Sequence, residues 1–129
     1  MMTATPGVLT LTIPAASEHV RLARLLAGGL AAQSNFDVDA VEDVRIAVDE
    51  GCHGLIGDRS GMGAITLTCS AIDDVLRIEG LADAELSAGR EPEYAELSEA
   101  ILDAVVDTHE LFVRDGCLGF VVTKRRPRD

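Results

Sequence analysis

The chain of 129 residues has no tryptophan, a single tyrosine (Tyr94) and three phenylalanines, 3% aromatic in all. Stacking platforms for bases or sugars are therefore scarce, and the core has to be aliphatic. Basic residues are equally sparse. Eleven Lys and Arg stand against 22 Asp and Glu, a net charge of −11. Nucleic-acid binding needs clustered cations to neutralise phosphates, so this balance speaks against it. The one basic run, Lys124-Arg125-Arg126-Pro127-Arg128, is short and terminal and reads as a solubilising tail. Cysteine is rare and odd in number. Cys52, Cys69 and Cys117 have no close spacing and fit reduced thiols better than a disulfide framework or a zinc site. Long apolar runs are absent, as is a basic segment leading into an apolar one at the start. No membrane span and no leader peptide are expected, and the location read from this is cytoplasmic.

What is present is a foldable single domain, 47% hydrophobic. Residues 8–13 (VLTLTI) alternate as a half-buried strand does, and Pro14 stops them. Ser17 is a candidate N-cap for a helix to about Gln33. Val20, Ala23, Ala27 and Leu30 form its apolar stripe, Leu22 and Leu26 broaden it, and Arg21 and Arg24 lie beside it facing solvent. Gly28-Gly29 marks a close approach to a neighbour or a partner. Asp39 with Glu42 reads as a capping box opening a second helix over 40–56, with Val41, Val44, Val48, Cys52 and Leu55 on its buried face.

Residues 64–71 and 75–79 are two strands joined at Asp73-Asp74. Residues 80–93 are acidic and irregular, and a mobile loop is expected there. A third helix, about 94–106, sets Leu97, Ala100, Ile101, Ala104 and Val105 on one side. Asp115-Gly116 is a type I′ turn between strands 108–114 and 117–124. The order β-α-α-β-β-α-β-β predicts a two-layer α/β (α+β) sandwich. Its sheet is mixed but antiparallel-rich, with the helices on one face. Residues 1–7 and 125–129 are expected to be flexible tails.

Four pieces of text carry a resemblance: Ile13-Pro14-Ala15 with Ala23-Arg24, the stretch Arg45-Ile46-Ala47-Val48-Asp49-Glu50, and the final Gly119-Phe120-Val121-Val122-Thr123. With the element order, they resemble the RsbW-type anti-sigma factor and serine-protein kinase family of the GHKL ATPase superfamily (Bergerat fold), in its actinobacterial branch. The resemblance spans residues 8–124. It implies a general base at Glu50, and a Mg²⁺-binding Asn four residues on, where this chain has Gly54. It also implies an Asp that reads the adenine amino group and spaced glycines after it. Here Glu79-Gly80-Leu81-Ala82-Asp83 lacks the second glycine, and residues 93–101 (EYAELSEAI) have no glycine for a phosphate lid. With these ATP-binding motifs degenerate, no cofactor, no metal site and no confident catalytic residue are expected.

The family places a partner-gripping Arg at Arg24, with Arg21 the weaker candidate; either can equally be a solvated or ion-paired surface residue. Glu50 can equally be a solvated carboxylate beside Asp49. His19, His53 and His109 are scattered without ligand spacing. The resemblance implies a sigma factor and a STAS-domain anti-anti-sigma factor as partners. It also implies regulation of transcription in a stress response, and homodimer formation through a sheet edge, for which strand 8–13 is the candidate. The alternative is an active serine kinase that phosphorylates its STAS antagonist with ATP and Mg²⁺, Glu50 acting as base.

Overall fold

The computed structural model describes residues 2–5 and 7–127. In chain order the elements are β1 (Met2–Thr5), β2 (Val8–Pro14), α1 (Ser17–Gln33), α2 (Val38–Ile56), β3 (Ala64–Ile72), β4 (Val75–Ala82), α3 (Ala84–Ser87), α4 (Glu96–Val105), β5 (Thr108–Arg114) and β6 (Cys117–Arg125). They form one six-stranded sheet in the order β1-β2-β3-β4-β6-β5. Each strand pair is antiparallel, so the sheet is not mixed. Tight turns explain this: Asp73 and Asp74 (φ 52° and 64°), and Asp115 and Gly116 (φ 52° and 79°), take the left-handed conformations of type I′ hairpins.

Alternation decides which face is covered. Ile65, Leu67 and Cys69 of β3 are buried while the residues between them are not. In register with them stand Ile13 of β2, Ile78 and Ala82 of β4, and Val122 and Phe120 of β6. Helices α1 and α2 pack over this face, with Ala23, Ala27, Ala47, Val48 and Cys52 buried. Phe120 is wedged between sheet and helix. A Cβ at Gly80 would sit 2.2 Å from its ring, and one at Gly51 of α2 2.6 Å. Glycine at both positions therefore sets the spacing of the two layers. Burial pushes the thiols of Cys52 and Cys69 up to about 12, and no described cysteine is in a disulfide.

Several sequence expectations change. Residues 2–5 are no tail: they pair with β2, with Thr3 opposite Thr10. The described edges are therefore β1 and β5, not strand 8–13. A four-residue strand gains its hydrogen bonds only from its partner, so its own text carries little signal. Met1, Arg128 and Asp129, also assigned to tails, lie outside the described residues, as does Pro6.

The rest of the basic run is tied down as well. Lys124 Nζ donates to Asp43 Oδ2 (3.0 Å) and to the Val105 carbonyl at the end of α4 (2.7 Å). Arg126 bonds the Asp74 carboxylate (2.6 Å). Helix α1 is preceded by Ala16 rather than capped by Ser17. Asp37, not Asp39, caps α2 by accepting the Ala40 amide at 2.8 Å.

Helix α4 buries a different face from the one expected. Leu102 is its buried residue, Ile101 and Val105 are half-buried, and Leu97, Ala100 and Ala104 are exposed. On the outer face of the sheet, Glu79 is buried under a bidentate pair from Arg114 (3.0 and 2.7 Å), with Arg77 at 3.3 Å. No helix among the described residues is long and apolar enough to cross a membrane.

Candidate functional site: a refilled cleft beside helix α2

A cavity of about 590 Å³ opens between the C-terminal half of α2 and the segment leading into α4. Glu50, His53, Gly54 and Gly57 form one wall; Arg90, Glu91, Glu93, Tyr94, Ala95 and Ser98 form the other. Helical spacing of four puts Glu50 and Gly54 on one face of α2, as the sequence reading required. Glu50 is half-buried and has no hydrogen bond or ion pair among the described residues.

Gly54 offers no side chain, and the ring of Tyr94 lies over it. Tyr94 also meets His109 edge-on, ring centroids 5.9 Å apart. Its hydroxyl is buried with no hydrogen-bond partner among the described residues. Burial, assisted by the Glu99 charge, pushes its pKa up to about 12.

The cleft's one arginine is already engaged. Arg90 donates to the carbonyls of Leu55, of Gly54 (3.3 Å) and of Leu86 (3.3 Å). Leu55 and Gly54 belong to the last turn of α2, where carbonyls lack intrahelical partners and the helix dipole favours a cation. Arg59 secures the same segment by donating to the carbonyls of Ala88 (2.5 Å) and Leu86 (3.4 Å). Ser87, buried, accepts the Leu118 amide at 3.0 Å. Residues 80–93, expected as a mobile loop, thus contain the end of β4 and helix α3, and are anchored by Arg90 from within and by Arg59 from the connection after α2. The signal was thin: Arg90 is the sole basic residue in that acidic stretch.

Asp83, the aspartate of the 79–83 stretch that stands where the resemblance implies the adenine motif, lies outside the cleft lining. Its Oδ1 caps α3 by accepting the Leu86 amide (3.0 Å), and its Oδ2 accepts the Ala64 amide (3.0 Å). Both oxygens are committed to backbone. These residues do not fit a magnesium nucleotide: Gly54 stands where the resemblance implies a metal-binding Asn, the Asp83 carboxylate is engaged with backbone, and Glu91 and Glu93 add negative charge to the cleft lining. The histidines are apart, and no group of three metal-ligating side chains gathers among the described residues.

Adjoining the cleft at Glu50, between α2 and α1, lies a groove lined by Arg24, Glu42, Arg45, Ile46, Asp49 and Glu50. Arg24 forms an ion pair with Asp49, reaching across to α2 rather than along its own helix. The same Asp49 receives His53 Nδ1 at 3.4 Å. Arg21 is exposed and shares the outer face of α1 with Leu22 (45% exposed), Leu25 (56%) and Gly29. The two glycines of α1 separate in role. Gly28 lies under the aliphatic stem of Arg45, whereas Gly29 has open space above it.

No protein-family model matches the chain. Relatives by sequence are serine-protein kinases named RsbW. The one from Bacillus cereus is 32% identical over 72 residues, 54% of this chain and 45% of that protein. The one from Listeria innocua is 35% identical over 75 residues, 54% and 46%. The chain thus matches a little under half the length of these relatives. Among solved structures, the crystal structure of the RsbU and RsbW domains of a Mycobacterium tuberculosis protein superposes with a TM-score of 0.66. It is 19% identical and covers 93% of this chain and 32% of that one.

The antiparallel sheet with its helices on one face is the fold that this chain shares with that structure. Over the matched stretch the chain is similar in sequence to the RsbW serine-protein kinases, and its fold is similar to that of a structure with an RsbW domain.

Proposed function

We propose that this domain is a nucleotide-independent, cytoplasmic anti-sigma factor. It holds an alternative sigma factor and releases it when a STAS-type antagonist competes for the same surface. The observation that carries the nucleotide-independent part is Asp83, whose two oxygens are spent on the backbone amides of Leu86 and Ala64. Gly54 beneath the Tyr94 ring and the engaged Arg90 support it. The protein-binding part is supported by the similarity to RsbW proteins and by the outer face of α1, where two exposed leucines, Leu22 and Leu25, lie beside Arg21. Homodimer formation through a sheet edge, β1 or β5, belongs to the same reading, and a monomer mass by light scattering counts against it.

The test is calorimetric titration with ATP and Mg²⁺. Absence of heat at millimolar nucleotide is the expected result, and micromolar binding overturns it. The kinase reading keeps one supporting feature, Glu50 in the cleft wall, which has no hydrogen bond or ion pair among the described residues. Transfer of labelled phosphate to a STAS partner, lost in Glu50→Ala, would establish that reading instead.

A further inference from the structure

An edge strand leaves a row of backbone donors and acceptors without partners, and natural sheets blunt such rows with short strands, lysine, proline or bulges. β1 is blunted by its length of four residues. β5 is not blunted. It has seven residues, none of them Lys or Pro, and runs in unbroken register with β6, from Thr108 opposite Thr123 to Arg114 opposite Cys117. In a two-residue hairpin the flanking pair, here Arg114 and Cys117, exchanges both bonds, and bonded pairs then alternate along the ladder. Glu110 and Phe112 therefore turn their backbone groups toward β6, and His109, Leu111 and Val113 turn theirs to the open edge. No other described strand pairs with β5 there, and Val113 is 52% exposed.

The residues of this edge are complementary to themselves. Against a second copy running the other way, with the twofold axis at Phe112, Glu110 stands opposite Arg114, Leu111 opposite Val113, and Phe112 opposite its own copy. Side chains alternate between faces, so the charges and the two rings share the outer face and the aliphatic pairs share the helix face. Backbone parity agrees, because Leu111 and Val113 become the pair that exchanges hydrogen bonds. Other registers are poorer. An axis at Glu110 sets two carboxylates together, one at Leu111 sets Glu110 against Phe112, and one at Val113 sets Leu111 against Asp115.

The Phe112 ring is already fixed in place. A Cβ at Gly119 would lie 2.3 Å from it, and the Arg114 guanidinium lies 4.9 Å from its centroid on the way to Glu79. Residues 108–114 hold one Glu, one Arg and His109, so the repulsion between two chains of net charge −11 is not concentrated at this edge.

We infer that β5 is a self-recognition edge, which takes the β5 of a second copy antiparallel about Phe112 and joins the two sheets into one. This rests on the homodimer reading above and names its edge.

The test is light scattering and oxidative cross-linking of the full chain. The parent is expected to show a dimer mass at micromolar concentration. Val113→Pro deletes an N–H that the chain's own ladder does not use, so it should keep the parent's circular dichroism spectrum and raise the dimer dissociation constant about tenfold or more. Glu110→Arg sets like charges opposite each other twice per dimer and should raise it about tenfold. Under mild oxidation Phe112→Cys should form a covalent dimer, while the parent and Thr3→Cys on β1 should not. A monomeric parent brings down the homodimer reading and this edge with it. A dimer unmoved by Val113→Pro, or linked through Thr3→Cys in place of Phe112→Cys, overturns the β5 edge alone. Should Val113→Pro lose its native spectrum, Glu110→Arg decides, and an unchanged dissociation constant there overturns the proposal.

Discussion

The ring of Tyr94 lies against the backbone of Gly54, close enough that a Cβ added there would be 3.7 Å from Tyr94 Cε1. That is ordinary contact distance, so the position tolerates a side chain at its root. Gly54→Asn supplies the Asn that the resemblance to RsbW-type kinases implies at this position, and it also removes a glycine from the last turn of α2. The variant is expected to fold with stability within about 1 kcal/mol of the parent. It should still give no heat with millimolar ATP and Mg²⁺, because Asp83 stays bound to backbone. Micromolar binding by this single variant would mean that one side chain was all the cleft lacked.

Three glycines in helices are expected to respond with opposite signs to alanine. Gly29 has open space above it, so Gly29→Ala should stabilise by about 0.5–1 kcal/mol through helix propensity. Gly28→Ala meets the Arg45 stem at 3.0 Å, a flexible side chain that can shift, and should be near neutral. Gly51→Ala drives a methyl into the Phe120 ring and should destabilise by about 1–3 kcal/mol. Urea unfolding of the three variants reads the order directly; equal effects at 29 and 51 would contradict the packing described.

Removing Arg90 is expected to loosen the cleft wall. Arg90→Ala leaves the last carbonyls of α2 without their donor and should cost about 1–3 kcal/mol. Hydrogen exchange should rise in residues 84–93 and in the last turn of α2, and stay unchanged at the β5–β6 hairpin. Uniform loss of protection would mean that Arg90 supports the whole fold rather than this segment.

Glu79 gives the chain a defined acid response. Hydrogen bonds from Arg114, and secondarily from Arg77, hold its carboxyl below the usual range against the opposing effect of burial. A group whose folded pKa is depressed contributes stability that is in force above its unfolded value, about 4.3, and is lost as pH falls through the folded one. Glu79→Gln should therefore destabilise by about 1–2 kcal/mol at neutral pH. The gap to wild type should narrow progressively below about pH 4. A gap that stays constant down to acid unfolding would remove the ion pair from the account.

On α1 the two arginines are expected to part company. Arg24→Glu would place a carboxylate against Asp49, so its effect on partner capture mixes with a change in how α1 sits on α2. Arg21→Glu changes an exposed charge beside Leu22 and Leu25 and leaves that pair intact. In a pull-down with a sigma factor or a STAS antagonist, Arg21→Glu should weaken capture while the melting temperature stays unchanged. Full capture by both variants would exclude this face of α1 as the contact.

Local text carried the parts of this fold that local physics decides. The Asp115-Gly116 turn and the alternation of β3 were legible because left-handed conformations and a period of two are written in adjacent residues. The helix with Glu50 was legible from its three- and four-residue spacing. Contacts between residues distant in sequence were not. Nothing near Lys124 announces Asp43, and nothing near Asp83 announces the Ala64 amide. The face of α4 was misplaced for a related reason. Periodicity shows how wide an apolar arc is, but only the neighbouring layer decides which part of it is covered. Asp37 and Asp39 are equally good caps by residue type, and the choice fell to the one whose carboxylate reaches the Ala40 amide.

Phe120, gripped between Gly51 and Gly80, also constrains how such a sequence can drift. The three positions lie on a helix and two strands, yet they share one small volume. A bulkier residue at 51 or 80 becomes admissible only once the ring at 120 has shrunk, and a smaller residue at 120 leaves a void that either glycine could then grow to fill. Substitutions at these sites are tied in order and in size, so a lineage carrying this domain must change them together or leave them alone.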